Sequence, residues 1–322
     1  MNYKYIQNSR ERFWRAFATL IFNRLRKKDL RFFVRTNDII STAPILFGDY
    51  EPHILDFMNW ASGVGYGDFL FDIGGSIGLS CCPVEKLFSM ICVFEPNPLA
   101  FKILEVNVSS TNDESKYRLF HYGIGRDDGR RDLLIPKHNW GGAFIVGKDN
   151  RYSEEILAKK DNFDSIDADN YLLREVEIRK GAAVFSSLFD EILSVSSSAN
   201  GIIKIDVEGC ELTVIEELAK SLPRDISAIL ILENWDESFE LDRVRAAFGG
   251  RAIAYSFKRK SLFPKRMPLL VKMALFPIVA IFGGGKITYS LERIEERFKE
   301  RDIVGDLVLK VPIWPYSSRD QS

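Results

Sequence analysis

The chain has 322 residues, 46% hydrophobic and 28% charged, with a formal net charge of -1. That is a globular composition with material for a sizeable core, which excludes a disordered or fibrous chain. The near-zero charge gives no bulk attraction to nucleic acid, and none is expected as a partner.

Four cysteines, Cys81, Cys82, Cys92 and Cys210, show no metal-ligand spacing. They read as buried reduced thiols in a cytoplasmic protein. The first 30 residues are too charged for a signal peptide. Charge is uneven, however. Residues 1–36 hold ten Lys/Arg against Glu11 and Asp29, and residues 258–272 hold six and no acid. Local basic faces on an acidic body suit an anionic surface.

Taken in order, residues 9–28 predict a basic amphipathic helix, with Trp14, Phe17, Ala18, Ile21 and Leu25 at helical spacing. Such a helix either packs on the body or lies on anionic lipid. Pro52 opens a short helix through Trp60. The run from Phe69 to Ile73 ends in Gly74-Gly75-Ser76-Ile77-Gly78, with Asp72 just before the glycines. A helix-like segment follows, then an apolar run from Ile91 to Phe94 ending at Glu95, 23 positions after Asp72. That is strand, glycine turn, helix and parallel strand, a unit that binds nucleotide-like ligands at its turn.

Residues 98–109 predict a helix and Tyr117–Gly125 a strand, with His121 read as a core histidine. A short strand covers Leu133–Ile135, and Asn139-Trp140-Gly141-Gly142 reads as a loop. From 136 to 175 the pattern is weak. Ile202–Ile205 runs into Asp206-Val207-Glu208-Gly209 and feeds a helix through Leu212, Ile215 and Leu218. Ala228–Leu232 ends at Glu233. Continuous apolar runs suit strands covered on both faces. Asp72, Glu95, Asp206 and Glu233 therefore stand at carboxyl ends that line one crevice in a parallel sheet.

Leu241–Phe248 reads as a helix, and Arg251–Phe257 and Gly305–Val311 as strands. The apolar run 273–282 in the insert between them is shorter than the ~20 residues that span a bilayer. It leaves three readings for the insert: a lid, a subunit contact or a membrane anchor beside Lys258, Arg259, Lys260, Lys265 and Arg266. The expected organisation is an extension over 1–48, a core over 49–256 with 306–314, an insert over 257–305 and a frayed tail over 315–322.

The glycines choose between cofactors. A dinucleotide fold wants Gly-x-Gly-x-x-Gly, but Ser76 stands at the second glycine, and Asp72 opposes a phosphate. An amino-acid-bearing sulfonium has no phosphate and gains from that acid. The pattern favours S-adenosylmethionine over NAD. No Tyr-x-x-x-Lys pair supports a nicotinamide oxidoreductase, the less favoured alternative.

Four stretches resemble the FkbM family of S-adenosylmethionine-dependent methyltransferases. They are Gly48–Pro52, Phe71–Gly78, Val93–Pro98 and Ile203–Glu211, covering about residues 48–235. The resemblance implies an α/β Rossmann-like class I methyltransferase fold, with a mostly parallel seven-stranded sheet, one strand antiparallel, and helices on both faces. It implies O-methylation, often of sugar or polyketide hydroxyls. Asp72, Gly74 and Gly78 would cradle the methionine part and Glu95 the ribose; Gly75, Ser76 and Asn97 complete the expected cofactor set. Gly75-Ser76 departs from the family's usual Ala-Asn.

A sugar hydroxyl is a poor nucleophile, so a base is expected. Candidates are Asp206, Glu208, Lys204 and His121, with Asp206 foremost because crowded acids beside a lysine can take opposed roles. The structural alternative has Lys204 paired with Glu208 and Asp206 capping the next helix. No metal is expected, since no histidine accompanies the acids. The expected function is O-methylation of a glycan or lipid-linked glycan, with peripheral contact to anionic membrane through 1–36 and 258–283. The alternative is a non-catalytic membrane-associated binding protein on the same fold.

Overall fold

Apolar runs that do not alternate become inner strands of one sheet, because both of their faces must be covered. A computed structural model describes residues 31–36, 38, 40–41, 44–45, 49–161, 163, 165–235, 239–260, 267–268, 271, 275, 288–294 and 305–313. The expected helix over 9–28, most of the run 273–282 and the tail from 314 onward lie outside them.

Helix α1 (Pro52–Gly63) starts at its proline. Strands β1 (Phe69–Ile73) and β2 (Met90–Phe94) pair in parallel, and α2 (Pro98–Ser109) leads to β3 (Tyr117–Phe120). Next come β4 (Gly123–Gly125), β5 (Gly129–Pro136), β6 (Phe144–Ile145), α3 (Glu154–Lys160), β7 (Tyr171–Lys180) and α4 (Gly181–Val195). The chain then returns through β8 (Ala199–Ile205), α5 (Glu211–Ser221), β9 (Ile226–Asn234), α6 (Leu241–Ala247), β10 (Ile253–Lys260), β11 (Thr288–Arg293) and β12 (Gly305–Val311).

The main sheet has the order β11-β10-β12-β9-β8-β1-β2-β3. β3, β2, β1, β8 and β9 are parallel, and β12 runs against both its neighbours. Without β11 this is the expected seven-stranded sheet with one reversed strand. β11 comes from the insert and adds an eighth, antiparallel to β10. Alternation along β1 sorts the two faces. Phe69, Phe71 and Ile73 pack with Phe185 and Phe189 of α4, while Leu70 packs with Ile54 and Met58 of α1. Asp72 faces the same side as Leu70.

Three expectations change. Between β1 and β2 the helical segment is only a 3-10 helix, Cys82–Leu87. The strand expected over 117–125 breaks at His121: β3 stays in the main sheet and β4 turns into a second sheet, ordered β4-β7-β5-β6. His121 at the break is exposed and stacked on Phe101, so it is no core residue. The second sheet accounts for the weak pattern over 136–175. Val176 and Ile178 point inward while Glu175, Glu177 and Arg179 face solvent. All four cysteines are free and buried. Among the described residues, no helix is long and apolar enough to cross a membrane.

Candidate active site

The strand ends of β1, β2, β8 and β9 meet in a crevice roofed by the second sheet, and Gly74 lets them meet. Its φ is +87°, and a Cβ there would lie 1.8 Å from the Asp206 carbonyl oxygen. Its N–H donates to Phe94 O at 2.8 Å, and the Asp206 N–H donates to Ile73 O at 2.9 Å. One glycine thus ties three strand ends together.

Two carboxylates on the β1–β2 side are held without cations of their own. Glu95 accepts the Ser76 N–H (2.7 Å) and the Asn97 N–H (2.6 Å), one on each oxygen. Burial still pushes its pKa up to about 7. Asp72 is fully buried, and its Oδ2 accepts from the Ser80 hydroxyl at 2.7 Å. Its Oδ1 has no partner.

Opposite, the charges pair. Lys204 Nζ stands 2.8 Å from Asp206 Oδ2 and 3.9 Å from Glu51 Oε2. Burial works against the charged lysine, but Asp206, Glu51 and Asp72 hold its pKa well above the ordinary value. Glu208 pairs with Lys160 of α3. The alternative pairing of Lys204 with Glu208 is therefore not formed, and the residue at the N-terminus of α5 is Cys210, not Asp206. The strand ends at Ile205, and Glu208 adopts a left-handed φ of 51° that turns it away from Lys204.

The crevice divides at Gly74, Gly141 and Asp206, which line both of its cavities. The first is walled by Ile73, Glu95, Pro96, Gly123, Ile178 and Val207, with Trp140 above. The second, about 230 Å³, is lined by Gly74, Gly75 and Ser76, by Tyr50 and Asn139, and by Lys160, Lys204, Asp206, Glu208, Glu233 and Trp235. Asp206 stands at the boundary with 20% of its side chain exposed.

The roof is pinned from the N-terminal side. The Arg35 guanidinium lies 4.2 Å from the centre of the Trp140 ring and donates to Lys137 O at 2.6 Å. Asp38 accepts the Trp140 N–H at 3.0 Å. Asn97, expected among the cofactor residues, caps α2 by accepting from Leu99 N and donates to Trp140 O. It is fully buried behind the wall and supports the roof rather than lining either cavity. Asp72 is likewise one layer back, behind Gly75.

Sequence reasoning passed over Glu51, Lys160, Asn139 as a side chain, and Trp140 as a roof. One backbone signal collects part of the site. Among the described residues, three non-glycines adopt left-handed φ: Ser76 and Glu208, which line the second cavity, and Glu51, which stands 3.9 Å from the Lys204 ammonium in its wall. Strain of that kind persists where surrounding structure over-determines it. At Ser76 it explains why a glycine or asparagine would suit the position.

The residues fit S-adenosylmethionine. Gly74 leaves the backbone open to close approach, Ser76 brings an unpartnered hydroxyl oxygen to the second cavity, and Glu95 presents a carboxylate to the first. Sheet order and site together define a class I methyltransferase fold. The methyltransferase FkbM domain matches residues 72–256, more than half the chain. The chain belongs to the FkbM methyltransferase family, whose methyl donor is S-adenosylmethionine.

Among solved structures, it is similar to methyltransferase FkbM from Methylobacillus flagellatus KT, at 16% identity over 60% of this chain and 40% of that one, TM-score 0.33. It thus spans about 40% of that protein's length. It is also similar to a SAM-dependent O-methyltransferase from Thermotoga maritima, at 10% identity over 83% and 67%, TM-score 0.36. A third is the precorrin 8w decarboxylase from Methanobacterium thermoautotrophicum, at 9% identity over 87% and 95%, TM-score 0.39. No curated protein matches the chain in sequence.

Proposed function

We propose that this chain transfers the methyl group of S-adenosylmethionine to a hydroxyl of a polyhydroxylated acceptor, a glycan being the favoured class. The observation that carries the reading is Asp206, which borders both cavities, is partly exposed, and is held by Lys204 at 2.8 Å. The Gly74–Gly78 turn, backed by Asp72, would hold the methionine part, and Glu95 the ribose hydroxyls. When bound, the donor supplies a methyl group on a sulfonium, already a good leaving group.

Asp206 then accepts the acceptor's hydroxyl proton, and Lys204, 2.8 Å away, keeps that carboxylate aimed. Because Asp206 lines both cavities, it can meet the acceptor's hydroxyl where the two join. Excluding water and aligning the acceptor account for the rest of the barrier. The basic segments 1–36 and 258–283 extend the proposal to an acceptor carried on an anionic membrane.

The test has two parts. Calorimetry with S-adenosylhomocysteine should show binding to the wild type and none to Asp72→Ala; unchanged binding in the variant removes Asp72 from the cofactor site, and no binding to the wild type removes the cofactor assignment. Transfer of labelled methyl to a glycan fraction should fall ~10²–10⁴-fold in Asp206→Asn, with cofactor affinity retained. Full turnover in that variant eliminates Asp206 as the base.

A further inference from the structure

The second cavity contains three carboxylates, Asp206, Glu208 and Glu233, and two lysines. Lys204 is taken by Asp206 and Lys160 by Glu208. The side chain of Glu233, at the end of β9, has neither an ion pair nor a hydrogen bond among the described residues. The cavity therefore holds one carboxylate more than its cations balance.

Asn139 supplies an independent observation. It is 6% exposed and lines the same cavity. Its Nδ2 donates to Asp161 Oδ1 at 2.9 Å, and the Tyr171 hydroxyl donates to Asp161 Oδ2 at 3.0 Å. That network decides which way the amide points. The Asn139 Oδ1 left over is buried and has no donor. Gly142 packs so closely that a Cβ there would lie 2.5 Å from Asn139 Nδ2. The cavity thus offers a carboxylate without a cation of its own beside an idle acceptor oxygen, surroundings that favour positive charge on a ligand.

We infer that Glu233 is the counter-charge for the cationic methyl donor, so that the site separates the charged donor from its neutral demethylated product. The inference rests on the reading that this chain binds S-adenosylmethionine. That molecule carries a sulfonium, an ammonium and a carboxylate, a net charge of +1; S-adenosylhomocysteine has lost the sulfonium charge. An attraction that disappears with the methyl group does not lower the barrier to transfer. Its effect is on donor capture and product release.

The surroundings of Glu233 favour this role. Burial comes first, then Asp206 and Glu208 after β8, Glu51 at the start of α1, and Asp306, its register partner on β12; together they push its pKa up to about 9. The tyrosines of this neighbourhood, Tyr50 and Tyr152, are themselves pushed up by burial and nearby acids. Near neutral pH Glu233 holds a proton until a cation replaces it. Donor binding should then release a proton, and product binding should not.

The experiment is calorimetry on the full chain at about pH 7.5, in two buffers of different ionisation enthalpy. The ligands are S-adenosylmethionine, S-adenosylhomocysteine and sinefungin, which carries an amine in place of the sulfonium. The two cationic ligands should bind about tenfold tighter than the neutral one and release a proton. Glu233→Gln should remove that preference and the buffer dependence together, by weakening the cationic ligands and not S-adenosylhomocysteine. Equal binding of all three without proton release in the wild type overturns the inference and leaves the cofactor assignment standing. A preference that survives in Glu233→Gln overturns it too. Binding of none of the three overturns the cofactor reading itself. The wild-type comparison needs no variant, so a misfolded Glu233→Gln does not blunt the test.

Discussion

The two halves of the crevice handle buried carboxylates in opposite ways. On the β1–β2 side, Glu95 and Asp72 are met by neutral donors: two backbone N–H groups and one serine hydroxyl. On the β8–β9 side, Asp206 and Glu208 are met by lysines, and Glu233 by no cation among the described residues. Neutral donors leave lone pairs of a carboxylate available, which suits hydroxyl groups of a ribose. Lysines fix where charge resides, which suits a group that must take a proton and return it to solvent. The first half is built to recognise and the second to react.

The largest expected effect comes from breaking the seam between the halves. Gly74→Ala would put a methyl group on the Asp206 carbonyl and force a left-handed residue to carry it. No side-chain rotation relieves a clash with backbone, so a loss of ~5 kcal/mol is expected in chemical unfolding, with no measurable S-adenosylhomocysteine binding. Normal binding in Gly74→Ala would show that the strand ends can part without consequence.

Next in size is the charged half. Lys160→Met strands Glu208 in a buried site and should destabilise by ~3–5 kcal/mol. Lys160→Met combined with Glu208→Gln should recover most of that, because no charge is then unpaired. Equal damage in the single and double variants would mean that Lys160 acts through packing. The urea midpoints of the wild type and these two variants decide it.

A smaller effect is the pH dependence. Burial raises Glu51, Glu95 and Glu208 from 4.5 to about 7, Glu211 to about 8 and Glu233 to about 9. Over that window the folded chain binds more protons than the unfolded one, so these groups lose stability as pH rises. The ligand-free protein should therefore melt lower at pH 9 than at pH 6, against the usual behaviour of paired acids. Glu233→Gln should flatten the upper part of the decline, by about 2–4 °C. A melting temperature that climbs over the same range would show that these acids are better solvated than their burial implies.

The neutral half was largely legible in the chain, and the charged half was not. Gly74, Asp72 and Glu95 lie in one contiguous strand-turn-strand unit, where spacing along the sequence is spacing in the fold. Lys204, Asp206 and Glu208 are also close in sequence, and in a continued strand alternation would put all three on one side. The left-handed turn at Glu208 reversed that and sent it to Lys160, 48 positions earlier in the chain. Nothing local announces such a partner, since α3 lies within the stretch 136–175 where the sequence pattern is weak. Asn97 shows the converse error. Its position after Glu95-Pro96 suggested a ligand contact, whereas an asparagine before Pro98-Leu99 is also a helix cap, and here that role wins. His121 looked internal only because the bend between β3 and β4 is invisible in an apolar run.

The smallest expected effect concerns the roof, and it sharpens what organises the neutral half. Arg35 touches no strand end; it lies on the Trp140 ring and holds the Lys137 carbonyl. A partly exposed cation on an aromatic face contributes ~0.5–1 kcal/mol. Arg35→Met should therefore weaken S-adenosylhomocysteine binding only about two- to fivefold. Glu95→Gln, which turns one acceptor oxygen into a donor facing a backbone N–H, should weaken it more than tenfold. If Arg35→Met proves as harmful as Glu95→Gln, the neutral half is organised by its roof and not by its carboxylates. The order of those two affinities, measured on one calorimeter in one buffer, tells the two arrangements apart.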